Sequence, residues 1–510
     1  MVDSTDISSH TLVPFGDDYT DVIVRSTDNT DVKFSRFVLC IASPVLKARI
    51  REQEKGLEAG ALPIVPMQVS SAALQALLRQ LCPVFNVQDL PLAELQDVLE
   101  CAKKYRIEAV TASLRKKLIA GFLNLDPIAV YAIACRCGLE PEAVAAAAAL
   151  KKRFKQPQSL PDSEQWSRVS VIHYMQLLRF IRNGTKPGQW SELATPEPSC
   201  TDVREQQNRV TTSAAPFDGS VPWDVIIISS DNVKFHVGRF TLIVASEFFR
   251  SMFTLPQPAA FDKEDQPHSD AVPVSEDSFV LDRLLRICYP VPDPVITRVH
   301  DIADILKAAE KYEMDYVMTW AKAKLISLCA TDPLQVYLAA CQLHAKDLAA
   351  TAAKAALKFS EIELEQMPMA STWKHTSTSR VRTLLSYHRQ CCELSEWNTL
   401  TTDFIWVPSD YCAGLRCSHN CGGSHLVQGG AQIGLSESWR DYFARAKLVL
   451  QSRPGDIDTA ALSFWPVVSN GNWLCHGYCG GQPGMSKELA DLFAVKIRDA
   501  INNVPFDLVL

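Results

Sequence analysis

A β-branched apolar run, a polar turn, a second extended run and then a helical period follow one another in residues 223–253. The stretch reads W-D-V-I-I-I-S-S-D-N-V-K-F-H-V-G-R-F-T-L-I-V-A-S-E-F-F-R-S-M-F. Val225–Ile228 predicts a strand, residues 229–232 carry turn chemistry, and Val233, Lys234 and Phe235 resume an extended pattern, which together predict a hairpin. Ser246 is placed to cap a helix whose apolar positions are Phe248, Phe249, Met252 and Phe253.

The same order of polar and apolar positions occurs earlier, in residues 19–50. Asp21 matches Asp224, Phe34 matches Phe235, Arg36-Phe37 matches Arg239-Phe240, and Ala42-Ser43 matches Ala245-Ser246. Three further anchors keep the order. Residues 77–84 (L-L-R-Q-L-C-P-V) match 284–291 (L-L-R-I-C-Y-P-V). Asp97 to Lys104-Tyr105 matches Asp304 to Lys311-Tyr312. Asp126-Pro127, Val130-Tyr131 and Cys135 match Asp332-Pro333, Val336-Tyr337 and Cys341. Ordered anchors over so long a period indicate a duplicated domain and not a short-period solenoid.

These residues resemble the BTB/POZ family, whose pattern is an Asp-Val strand, a strand ending in Phe-His, a basic residue and a helix opening with Ala-Ser. The second copy carries it as Asp224-Val225, Phe235-His236, Arg239 and Ala245-Ser246. The first copy departs from it: Ser35 follows Phe34, and Arg36 comes two residues sooner. The Asp-Pro, Val-Tyr and Ala-Cys segments and the Cys-containing tail are similar to the BTB proteins of basidiomycete fungi. The resemblance implies an α+β, helix-rich fold: two BTB/POZ-like domains, each with a helical extension, and a C-terminal Cys-rich module.

The chain then divides as follows. Residues 1–14 are a disordered lead, 15–125 the first BTB/POZ-like domain and 126–183 its helical extension. Leu74, Leu77, Leu78 and Leu81, then Leu95, Val98, Leu99, Ala102 and Tyr105, then Val110, Leu114 and Leu118, repeat at helical spacing. Asp126 is an N-cap with Pro127 at the first helical position, and the Ala-rich residues 142–154 are helical on propensity. Residues 184–216 are a Pro-, Ser-, Thr- and Gln-containing linker. Residues 217–331 are the second domain, with an acidic insert at 255–270, and 332–395 its extension. Residues 396–510 have no counterpart in the first half and predict helices at 439–450 and 487–502.

Length and composition fit several cores: 510 residues, 47% hydrophobic and 21% charged. The net charge of −7 offers no general attraction to nucleic acid or anionic lipid. The polar, acidic start is not a signal peptide, and no apolar run reaches the roughly 18 residues of a membrane span. The sixteen cysteines are dispersed, several on apolar helix faces, and read as reduced thiols in the cytoplasm, the nucleus or both.

Two constellations carry candidate chemistry. Cys417 and Cys421, with Cys475 and Cys479, are two short-spaced pairs able to supply four thiolates to a structural zinc ion, with His419, His425 and His476 as alternates. Free thiols at loop bends, with Cys412 as a competitor, are the other reading. In transcriptional BTB domains the residues matching Asp21 with Arg36, and Asp224 with Arg239, line a charged pocket for partners. The reading favoured here is an ion pair that closes the first strands. Ile50-x-Glu52 fits the hydrophobic-x-Glu pattern by which some BTB domains touch cullin-3. Lys151, Lys152 and Arg153 read as a nuclear signal or as the solvated end of a helix.

Enzyme motifs are absent: there is no P-loop, and residues 434–438 fail the nucleophile-elbow pattern at its last glycine. The expectation is a non-enzymatic protein–protein interaction scaffold, with a cullin-3 substrate adaptor as a subclass. The alternative is a transcriptional or chromatin regulator with the Cys-rich tail as second binding module. Partners are proteins docking on BTB surfaces, with the two units paired within the chain or in a homo-oligomer. Acidic residues outnumber basic ones in the tail, which argues against direct nucleic-acid binding.

Overall fold

Each repeat opens with a hairpin whose turn is set by side chains. In the first, β2 (Val22–Arg25) and β3 (Asp31–Phe34) pair antiparallel, with Val24 opposite Val32 and Val22 opposite Phe34. All four are buried, as period-2 alternation requires of a half-buried strand pair. Ser26 Oγ accepts from the Thr30 amide at 3.0 Å, and Asn29 takes a left-handed φ of 57°. β1 (His10–Thr11) lies parallel to β3, and β4 (Ile64–Pro66) parallel to β2, giving the order β1-β3-β2-β4. The computed structural model describes residues 10–11, 20–55, 61–81, 90–184, 211–221, 223–255, 271–368, 373, 376–408, 424–426, 432–434, 437–457 and 485–506.

Two compact units are present. One comprises Met1–Trp190 and Lys374–Thr378, the other Ser191–Trp373 and Ser379–Leu510. In the first, α1 (Arg36–Ala42) and α2 (Pro44–Glu54) follow the hairpin, then α3 (Ser71–Gln80), α4 (Leu92–Lys104) and α5 (Glu108–Lys117). The extension is α6 (Pro127–Arg136), α7 (Glu140–Arg153) and α8 (Val171–Asn183). Asp126 caps α6 by accepting from the Ala129 amide, and the buried Tyr131 Oη donates to the His173 carbonyl at 2.7 Å, tying α6 to α8.

The second unit repeats this plan. β5 (Thr211–Thr212), β6 (Val225–Ile228), β7 (Val233–Val237) and β8 (Ala271–Pro273) form a sheet of order β5-β7-β6-β8. Asn232 turns the hairpin at φ 61°. α9 (Arg239–Ala245), α10 (Glu247–Thr254), α11 (Ser278–Cys288), α12 (Val299–Lys311) and α13 (Asp315–Leu328) follow. The extension has α14 (Pro333–Gln342), α15 (Lys346–Ala356), α16 (Glu361–Gln366) and α17 (Ser379–Cys392). Tyr337 Oη donates to the Arg380 carbonyl at 3.1 Å, as Tyr131 does to His173.

Two sequence boundaries move. The stretch read as a disordered lead contributes β1, and the stretch read as linker contributes β5. Both are two-residue strands held by backbone hydrogen bonds, too short to leave an alternating apolar pattern.

The described part of residues 396–510 is built onto the second extension. α18 (Glu396–Thr402), α19 (Glu437–Leu450) and α20 (Met485–Asn502) accompany a two-stranded ladder of β9 (Ser424–Leu426) and β10 (Gln432–Gly434). Phe404, Phe443 and Phe493 form a buried aromatic cluster, with ring centroids 4.8 Å and 5.4 Å apart along the series. The Gly455 amide donates to the Leu357 carbonyl at 2.9 Å, and a Cβ at Gly455 would stand 2.7 Å from Leu357 Cβ, so glycine is needed for this approach. Phe506 packs against the Tyr387 ring at 4.7 Å.

One residue in each repeat joins three elements. Ser246 N donates to the Leu242 carbonyl and ends α9, while Ser246 Oγ accepts from the Phe249 amide at 3.0 Å and starts α10. The same hydroxyl donates to the Tyr312 carbonyl, at the end of α12, at 2.5 Å. Ser43 repeats all three bonds with Leu39, Leu46 and Tyr105. Both serines are buried. Ser246→Ala removes a cap and leaves a buried carbonyl short of a donor, so a loss of about 2–3 kcal/mol is expected. Urea denaturation checks this against the exposed Ser251→Ala, expected to change stability by less than about 0.5 kcal/mol.

Candidate functional site

The short helices α1 and α9 leave the hairpins at equivalent places, and the acidic residue before the first long strand starts each one. Asp21 Oδ1 accepts from the Arg36 amide at 2.5 Å, and Asp224 Oδ1 accepts from the Arg239 amide at 2.5 Å. A carboxylate at a helix's first amide satisfies a donor that has no partner within the helix. The Arg36 guanidinium lies 3.5 Å from Asp21 Oδ2 and also binds Glu54. Glu54, and behind it Asp21, raise the Arg36 pKa above its ordinary value. Arg239 stacks over the Phe253 ring, 4.8 Å from its centre.

The ion pair read from the sequence is present between Asp21 and Arg36, and it is exposed and not buried. Asp21 and Asp224 are exposed. Each carboxylate also holds the first amide of its helix, and the strong penalty for stranding a buried charge does not arise.

The faces that α1 and α9 turn to solvent are apolar. Phe37 and Ile41 are 72% and 71% exposed, and their counterparts Phe240 and Val244 are 79% and 62% exposed. Positions four apart lie on one helix face, so each repeat presents an aromatic–aliphatic pair. Phe248 on α10 is also exposed. Nothing in their residue types marks Phe240 and Val244 as outward-facing. The signal available was the equal placement of Phe37 and Ile41 in the other repeat.

Beside β8, Glu276 accepts from Lys311 Nζ at 2.8 Å and from Tyr312 Oη. Burial opposes its ionisation, but the bonds from Lys311 and Tyr312 prevail and its pKa lies below the ordinary value. In the first repeat Lys104 binds Gln68 instead, and Tyr105 Oη accepts from the Gln68 amide at 3.0 Å.

Several other sequence candidates find structural employment. Ile50 is buried in the first core, so Ile50-x-Glu52 does not present its apolar residue to a scaffold protein. Lys151 donates to the Phe180 carbonyl in the last turn of α8, at 3.2 Å. Burial pushes the Cys101, Cys135, Cys137 and Cys288 thiols up to about 12, so these cysteines stay protonated at neutral pH. Cys412, Cys417, Cys421, Cys475, Cys479, His419 and His476 lie outside the described residues, as does the side chain of His425. Among the described residues no cluster of His, Cys, Asp and Glu is arranged to hold a metal, and no helix is long and apolar enough to cross a membrane.

A hairpin with parallel flanking strands, two short helices hinged at a buried serine and exposed apolar helix faces, all present twice, define a duplicated α+β interaction module. The BTB/POZ domain family matches the chain at residues 15–121 and again at 216–328; it carries two BTB/POZ domains in tandem. Domains of this family mediate protein interactions and oligomerisation. No curated protein matches the chain.

Removing the Asp224 carboxylate is expected to cost about 0.5–2 kcal/mol, the range for a lost helix cap, and not the roughly 3–5 kcal/mol of a broken buried pair. Urea denaturation of Asp224→Ala decides between them.

Proposed function

We propose that this protein is a non-enzymatic scaffold whose BTB domains pair through the α1 and α9 faces, each face covered by another such face of the protein. The carrying observation is the twin exposure of Phe37 with Ile41 and of Phe240 with Val244 at equivalent positions. Two apolar faces of like chemistry are mutually complementary, and burying aromatic side chains supplies the main energy of such contacts. The two domains are tethered, so pairing within one chain profits from an effective concentration on the order of millimolar.

Light scattering and limited proteolysis of the full-length chain test this. A 56.6 kDa species whose Phe37→Glu/Phe240→Glu variant is cleaved faster between residues 185 and 210 is expected for pairing within the chain. A dimer that the double substitution dissociates supports pairing between chains. Mass and cleavage that the substitution leaves unchanged overturn the reading.

A cullin-3 substrate adaptor remains the finer form of this proposal, and it rests on the BTB domains alone now that Ile50 is placed in the core. For the tail, we propose structural zinc held by Cys417, Cys421, Cys475 and Cys479, on the strength of the paired spacing. Metal analysis of the desalted full-length protein is expected to find zinc, lost in a Cys417→Ser/Cys475→Ser variant. A metal-free, folded protein refutes it.

A further inference from the structure

Within the first unit, a short segment from late in the sequence is held by an isolated antiparallel bridge. Ser377 forms an antiparallel bridge with Ser170. The Val171 amide donates to the Thr376 carbonyl at 3.0 Å, and the Thr378 amide donates to the Val169 carbonyl at 3.3 Å. Side chains add to the ladder: Thr378 Oγ1 also donates to the Val169 carbonyl, and Ser377 Oγ to the Ser167 carbonyl at 3.3 Å.

The bound segment matches the edge that binds it. Val169, Val171, Thr376 and Thr378 are buried, while Ser170 and Ser377 are partly exposed beside a cleft. Val-Ser-Val faces Thr-Ser-Thr, with β-branched residues at the inner positions and serine at the outer one. Valine and threonine are nearly the same shape, the buried Thr378 hydroxyl finds the Val169 carbonyl, and the backbone bonds supply affinity as in strand addition. The segment also occupies the place in the second extension that Val169 to Val171 occupy in the first, at the starts of α17 and α8.

We propose that the edge formed by Val169, Ser170 and Val171 is a peptide-capture site for extended β-branched–Ser–β-branched segments, with Thr376, Ser377 and Thr378 as its in-chain ligand. This is independent of the pairing of the α1 and α9 faces.

Ser170 and Ser377 face each other without exchanging backbone bonds, the pairing in which Cβ atoms come closest and a disulfide fits. In full-length Ser170→Cys/Ser377→Cys, mild oxidation is expected to join positions 170 and 377 within one chain, read by peptide mapping. Cross-linking only between chains, or none, overturns the in-chain ligand. A second test uses Thr378→Pro, which deletes the amide donated to Val169 and, standing ahead of the first residue of α17, removes no amide that the helix itself uses. A labelled synthetic peptide of residues 372–382 is expected to bind this variant at least about tenfold more tightly than the wild type, whose edge is filled. A peptide with proline at position 378 is expected to lose that binding. Equal binding to wild type and variant, or none to either, overturns the capture site.

Discussion

The hinge serine is the constraint on which each repeat depends. A hydroxyl has one proton to give and lone pairs to accept with, and at Ser43 and Ser246 both capacities are used in a buried site. The acceptor role starts one helix. The donor role ties that start to the end of α4 or α12, 62 or 66 residues further along the chain. The serine's own amide closes the preceding helix. The direction in which α1 and α9 leave the sheet therefore follows from a single side chain, and with it the outward aim of Phe37 and Phe240.

Much of this was legible in the residues. The hairpins announced themselves through β-branched runs around Asn29 and Asn232, the hinge through Ala-Ser, and the extension through Asp126-Pro127 and Asp332-Pro333, each a local signal with a local cause. What was not legible was of two kinds. Arg106, Glu313 and His344 take left-handed φ values of 53°, 52° and 53° after helices, without a glycine to mark the stop. Exposure was the other: the amino-acid type of Phe240, outward, and Phe235, inward, is the same, and only the packing of distant elements separates them. Asp224 is a separate case: a charged residue at a strand start reads as an ion-pair partner, and nothing in the sequence marks the bond it accepts from the Arg239 amide.

Duplication has kept geometry and exchanged chemistry. The turn carboxylates Asp28 and Asp231 both accept from the first amide of a later helix, α3 or α11, at 3.2 Å from Ser71 and 2.8 Å from Ser278. The caps of those helices differ, Ser70 in one and Asp277 in the other. Lys104 meets a neutral amide where Lys311 meets a carboxylate. Backbone donors fix where an acceptor must stand but not which acceptor it is, so the polar layer drifts while the hydrogen-bond skeleton stays. The second extension also carries the described part of the tail, through Gly455 against Leu357 and Phe506 against Tyr387.

The same logic explains how an edge can hold its own counterpart. A segment that precedes a helix must be extended and must cap that helix, which selects Ser at one position; Ser170 Oγ accepts from the His173 amide at 3.4 Å. Burial of the neighbours selects β-branched residues on either side. Two segments selected alike are, after duplication, matched in backbone shape and in inner side chains. Antiparallel pairing then gives equivalent bonds in both directions, from Val171 to Thr376 and from Thr378 to Val169. Threonine in the later segment, where the first copy has valine, keeps the fit and supplies the hydroxyl of Thr378, which reaches the Val169 carbonyl. Complementarity here needs no separate selection for binding: it follows from two copies of one helix start, one of which carries an extra donor.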